Sequence, residues 1–149
     1  MTEEEVWYFA YGSNLNIGQM MTRVGEWTVS KRAVLKGYKL KFNVCSHRWG
    51  GLTANLVRTD NPRDKVYGAL YRILREKLNV LSTYEGTKPT DIPVEADGVN
   101  LQTKTYIFET SRVSGNPPEV YLTVMLTGLR QHGYAEAVIN EVDKIAKTP

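Results

Sequence analysis

Residues 6–11, Val-Trp-Tyr-Phe-Ala-Tyr, form a short unbroken apolar and aromatic run, which predicts a buried strand, and Gly12 interrupts it. Residues 15–23 then predict a short helix with Leu15, Met20 and Met21 along one side and Ser13 or Asn14 as its cap. Strict alternation follows, with Tyr38, Leu40, Phe42 and Val44 separated by Lys39, Lys41 and Asn43, as in a half-buried strand. Residues 52–57 and 65–73 read as two strands joined in a hairpin through Asp60, Asn61, Pro62, Arg63 and Asp64. Leu74, Leu78 and Leu81 recur at helical spacing, and Gly86 is placed to end that helix in a left-handed conformation. Asp97-Gly98 predicts a tight primed turn between strands at 92–96 and 99–108. Pro118 suits the first position of a helix reaching Arg130, and Tyr134, Val138, Val142 and Ile145 share one face of a final helix. Strands early and helices late predict an α+β fold whose sheet is curled or closed.

Composition adds boundaries to this picture. A chain of 149 residues with 42% hydrophobic and 23% charged positions is expected to fold unaided as one domain spanning 1–149. Its acidic start and the absence of a long apolar run predict a soluble, cytoplasmic protein with no membrane partner. The single Cys45 allows no internal disulfide, and no Cys/His spacing suits structural zinc, so stability is expected from packing alone. The net charge of +3 is too small to require nucleic acid and mildly favours anionic small molecules. Lys39 and Lys41 alternate with Tyr38 and Phe42, so these cations and rings do not share a base-stacking face. Phosphate-loop and dinucleotide fingerprints are absent. The assembly state is open, with a homodimer as one expectation.

Two places can carry chemistry. In the turn Gly12-Ser13-Asn14, between strand and helix, unpaired backbone N–H groups can hold an anion or a carbonyl oxygen, although ordinary capping explains the same residues. Extending Leu74, Leu78 and Leu81 by four residues reaches Glu85, whose carboxylate would face inward with a raised pKa suited to proton transfer. If the helix frays at Tyr84, Glu85 is simply solvated. Ser13 lacks the setting of a nucleophile, and Cys45 with His47 is not thereby a catalytic pair.

Together, Tyr8-Phe9-Ala10-Tyr11-Gly12-Ser13-Asn14-Leu15 and the later Leu81-Ser82-Thr83-Tyr84-Glu85-Gly86 resemble the γ-glutamylcyclotransferase-like family, whose hallmarks are a Tyr-Gly-Ser-Asn loop and a downstream Glu-Gly. The resemblance spans most of the chain. It implies a small β-barrel flanked by helices, and an enzyme that cyclises a γ-glutamyl amide to 5-oxoproline without a cofactor. By residue-to-residue match it implies Glu85 as general acid and base, with Tyr11, Gly12, Ser13, Asn14, Leu15 and Tyr121 binding the substrate. A non-catalytic protein binding a small molecule in the same pocket is the alternative. One departure is visible: the family often has a tyrosine several residues after Glu-Gly, whereas here none follows until Tyr106.

Overall fold

The computed structural model describes residues 4–109 and 113–148. In chain order the elements are β1 (Glu5–Ala10), a 3-10 turn (Ser13–Leu15), α1 (Ile17–Val24), β2 (Ser30–Lys36), β3 (Tyr38–Ser46), β4 (Gly51–Arg58), β5 (Lys65–Leu74), α2 (Lys77–Glu85), β6 (Thr90–Ala96), β7 (Val99–Thr105), α3 (Glu119–Gln131) and α4 (Glu136–Lys147). Five strands close a barrel in the order β1-β5-β2-β6-β7, and β3 and β4 form a separate two-stranded sheet. The α+β class and the closed barrel thus agree with the expectation from sequence.

Closure follows from the hydrophobic pattern. The run in β1 pairs antiparallel with β5, Tyr8 opposite Tyr71 and Phe9 opposite Leu70, and all four side chains are buried. The ring shuts where β1 meets β7 in parallel, Tyr8 opposite Lys104. Asp97 and Gly98 both take positive φ, 52° and 76°, which gives the expected primed turn between β6 and β7. Burial of Phe9, Leu35, Leu70, Ile73, Met125, Leu129 and Ile139 joins barrel and helices into one core.

Several local expectations are corrected. The cap of α1 is Asn16, whose side chain accepts from the Gln19 amide at 3.1 Å, because Ser13 and Asn14 are spent in the preceding 3-10 turn. Met20 is buried but Met21 is 49% exposed, since the helix starts two residues later than the periodicity suggested. Strand β2 is too basic to stand out, and only Ala33 and Leu35 mark its buried side. The strands at 52–57 and 65–73 exist but do not pair: β4 is bonded to β3, whereas β5 lies between β1 and β2. Strand β7 ends at Thr105, and Pro118 precedes α3 as its cap in an extended conformation. On α4 Val142 is buried and Ile145 packs against the core as expected, but Ile139 and Ala146 are buried beside them and Val138 is not.

The alternation in β3 breaks at a bulge between Phe42 and Val44 that turns Asn43 inward. Asn55 Nδ2 then donates to Asn43 Oδ1 at 3.0 Å and to the Phe108 carbonyl at 3.1 Å. The Phe108 amide donates back to Asn55 Oδ1 at 3.0 Å, so the hairpin is pinned to the segment leaving β7. One end of that hairpin forms a wall of the site.

Candidate active site

Glycine at position 12 lets the chain turn out of β1 directly beneath Tyr121. A Cβ there would stand 2.6 Å from the Tyr121 hydroxyl, so no larger residue fits without displacement. The Leu15 and Asn16 amides close the turn onto the Gly12 and Ser13 carbonyls at 3.1 and 3.0 Å, which leaves the Gly12 and Asn14 amides outside its hydrogen bonding. Helix α3 presses on the turn from behind: a Cβ at Gly128 would meet Leu15 and Asn16 backbone atoms within 2.4–2.6 Å. From the barrel, Tyr71 donates to the Asn14 and Leu15 carbonyls, at 2.9 and 3.1 Å, and its oxygen lies 2.9 Å from His132 Nε2. Burial holds His132 below its usual pKa, partly offset by its hydrogen bond to the Leu15 carbonyl.

Helix α2 runs through Tyr84 to Glu85 without fraying, and Gly86 ends it at φ 73° and ψ 20°, the left-handed stop expected of that residue. Leu78 and Leu81 are buried on the side that Glu85 continues. The Glu85 carboxylate therefore enters the cavity, where Asn14 Nδ2 donates to Oε1 at 3.3 Å. The same Nδ2 donates to the Tyr8 hydroxyl at 2.9 Å, and Asn14 Oδ1 accepts from Gln19 at 3.1 Å and Arg23 at 3.0 Å. Desolvation raises the Glu85 pKa, and the Arg23 guanidinium works against that rise.

The cavity measures about 290 Å³ and brings Tyr11, Gly12, Ser13, Asn14, Glu85 and Tyr121 together. Leu15 is not on its wall; that side chain is fully buried in the core. Tyr121 is held between Phe42 and Trp49, with ring centres 6.4 and 5.2 Å away. Its hydroxyl accepts the Ala54 amide at 3.0 Å, and the Ser13 amide is drawn to it as well. Burial pushes the Tyr8, Tyr11 and Tyr121 phenols well above their ordinary pKa, so all three stay protonated at neutral pH. Among the described residues no group of three His, Cys, Asp or Glu side chains is arranged to hold a metal ion.

Sequence reasoning missed several residues of the wall. Arg23 and Gln19 project from α1 four residues apart and both reach Asn14 Oδ1; their polar spacing was the available signal. Tyr106 comes from beyond β7, where no periodicity points to it. Its hydroxyl meets Ser82 Oγ at 2.9 Å and donates to the Leu78 carbonyl at 3.0 Å, and its own carbonyl accepts from Tyr11. A tyrosine thus reaches the cavity beside α2 although none closely follows Gly86 in sequence. Arg48, Trp49, Cys45 and His47 line the mouth from the β3–β4 end of the hairpin.

Barrel, hairpin and turn together enclose one cavity in which the Glu85 carboxylate faces tyrosine hydroxyls and the backbone of residues 12–14. The chain belongs to the family described as γ-glutamyl cyclotransferase, AIG2-like, whose sequence model matches residues 8–123. It is 28% identical over 141 residues to a γ-glutamylcyclotransferase of Homo sapiens, covering 88% of this chain and 73% of that protein. A Mus musculus γ-glutamylcyclotransferase is 29% identical over 136 residues, covering 85% and 71%. A solved structure of a γ-glutamyl cyclotransferase superposes with a TM-score of 0.86 at 24% identity, over 97% of this chain and 90% of the other, which shows the shared fold. Among the described residues no helix is long and apolar enough to cross a membrane.

Proposed function

We propose that this protein is a γ-glutamylcyclotransferase in which Glu85 moves the protons and the turn at residues 11–14, with Tyr121, holds the substrate. The observation that carries the proposal is the meeting of Glu85 and Asn14 in one cavity, 71 residues apart in sequence and 3.3 Å apart in space. Family membership and the names of the curated relatives support the same reaction.

A γ-glutamyl amide contains its own nucleophile. The α-ammonium gives a proton to Glu85, and the freed nitrogen attacks the γ-carbonyl carbon, forming the N–C bond of a five-membered ring. The carbonyl oxygen takes up the displaced electron pair. As that pair returns, the original amide C–N bond breaks and Glu85 delivers its proton to the departing nitrogen. The ring nitrogen then gives its second proton to the freed carboxylate, which passes it to the amine, leaving neutral-ring 5-oxoproline and the leaving group as its ammonium. The carboxylate suits both halves: burial makes it a stronger base, and the Asn14 bond at Oε1 leaves its other oxygen for the substrate. Tyr121 accepts backbone N–H groups, so its own proton is available to the developing oxyanion together with the Gly12 and Asn14 amides. Holding the chain bent is a further large factor, since oriented intramolecular attack reaches effective molarities of about 10⁵ M or more.

The test is mass-spectrometric detection of 5-oxoproline after incubation with γ-glutamyl amino acids, γ-glutamyl amines and glutathione. Product from wild type and its loss in Glu85→Gln are expected. No product from any substrate would overturn the reaction, and near-normal turnover by the variant would overturn the role of Glu85.

A further inference from the structure

The turn beside Glu85 is held by two residues that do not reach the cavity. Its own bonds end on the Gly12 and Ser13 carbonyls, and the next two carbonyls are taken from outside. Tyr71 donates to Asn14 at 2.9 Å and to Leu15 at 3.1 Å, and His132 Nε2 lies 2.9 Å from the Leu15 oxygen. Tyr71 is fixed on β5, opposite Tyr8 in the barrel ladder, fully buried and edge-on to Trp27 with ring centres 4.8 Å apart. His132 stands at the C-terminal end of α3, its ring 5.4 Å from that of Tyr71 and inclined to it at 78°. Neither side chain lines the cavity.

Proton counting fixes this arrangement. A carbonyl oxygen only accepts, so the ring nitrogen facing Leu15 carries the hydrogen, and burial disfavours the imidazolium, which leaves the neutral Nε2–H tautomer. That nitrogen has no lone pair to offer Tyr71, although the two atoms are 2.9 Å apart, so the Tyr71 proton goes to the nearer carbonyl, that of Asn14. Were the hydrogen on Nδ1, the imidazole would compete for the Tyr71 proton and the Leu15 oxygen would face a lone pair. Asn14 is thereby gripped at both ends. Its carbonyl is held by Tyr71, and its side chain meets Tyr8, Gln19 and Arg23 while Nδ2 donates to Glu85 at 3.3 Å. A contact of that length is at the long end of useful hydrogen-bond geometry, so a small rotation of residue 14 breaks it.

We infer that Tyr71 and His132 are positioning residues for the reaction: they set Asn14 so that its side-chain amide holds one oxygen of Glu85 and leaves the other to exchange protons with the substrate. The inference rests on the γ-glutamyl reading of the same pocket.

The experiment is a double-mutant cycle in kcat/KM for 5-oxoproline release, on wild type, Tyr71→Phe, Asn14→Ala and the double variant. Tyr71→Phe should cost about tenfold in wild type, the weight of one hydrogen bond, and less than about twofold where Asn14 is already alanine. A loss of folded protein would instead multiply through both backgrounds alike. Glutamine places an N–H at the same reach from Cβ as the imidazole does, so His132→Gln should keep most of the activity that His132→Leu loses. Nitrogen NMR of the histidine ring should show the neutral Nε2–H form at neutral pH. This spectrum and the His132 comparison do not depend on Asn14→Ala remaining folded. Equal effects of Tyr71→Phe in both backgrounds, His132→Gln no better than His132→Leu, or an Nδ1–H ring would each overturn the role. A wild type that releases no 5-oxoproline would overturn the cyclisation reading and this role with it, whereas product from wild type with any of those three results would overturn the role alone.

Discussion

Replacing Gly12 by alanine tests whether the turn and Tyr121 are fitted to each other. The new Cβ would lie 2.6 Å from the Tyr121 hydroxyl oxygen, about 0.7 Å inside a close carbon–oxygen contact. Its other neighbour, Ala54 Cβ, is at an ordinary 3.5 Å, so the conflict is confined to one atom. Tyr121 cannot readily retreat, because its hydroxyl accepts the Ala54 amide at 3.0 Å and its ring is flanked by Phe42 and Trp49. Overpacking of this kind costs about 1–3 kcal/mol. Tyr121→Phe removes the oxygen and leaves the Ala54 amide without that acceptor, at about 1–3 kcal/mol. If the losses were independent, the double variant would lose their sum. If the hydroxyl is the obstacle, the double variant loses about as much as Tyr121→Phe alone, a coupling of about 1–3 kcal/mol. Urea unfolding followed by tryptophan fluorescence supplies all four stabilities, with Trp49 a built-in reporter 5.2 Å from the Tyr121 ring. A coupling below about 0.5 kcal/mol would refute the reasoning.

Two expectations concern protons. Because burial raises the Glu85 pKa in the folded protein, the folded state binds that proton more tightly than the unfolded state does. Its stabilising share is complete below the unfolded pKa and is lost as pH rises through the folded value. Glu85→Gln should therefore gain melting temperature relative to wild type at neutral pH, and the gain should shrink as pH falls towards 4.5, the ordinary value of the carboxyl; a gain that grows on acidification would contradict this. Arg23 lowers the Glu85 pKa, so Arg23→Gln should move the acid limb of the kcat/KM profile to higher pH, and a shift to lower pH would remove Arg23 as its counter-charge.

Local elements were legible where one pattern dominated. The aromatic run of β1, the Asp97-Gly98 turn and the Gly86 stop each have a cause within a few residues. Pairing was not legible in the same way. Strands β4 and β5 are adjacent in sequence and separated by a good turn, yet β5 pairs with β1 and β2, because its side chains bury on more partners there. Nothing local to residues 65–74 encodes that choice. The site divides similarly. The phase of Leu78 and Leu81 placed Glu85, while Tyr106, Arg48 and Trp49 reach the cavity through the barrel seam and the hairpin, whose geometry depends on the whole fold. Leu15 illustrates the converse: it sits within the recognisable loop, but its side chain serves the core.

The separation of the β3–β4 sheet from the barrel has a consequence for how such a protein can diversify. The groups proposed to transfer protons and hold the glutamyl end sit on β1, the turn after it, α2 and α3. Residues 44–49, on the cavity wall opposite the turn, sit at the tip of an arm whose two strands ladder with each other and not with the barrel. Substitutions or length changes at the tip of that arm leave every barrel register intact. That wall can therefore change while the ring-closing machinery stays unchanged, as in a tool with a fixed handle and exchangeable jaws.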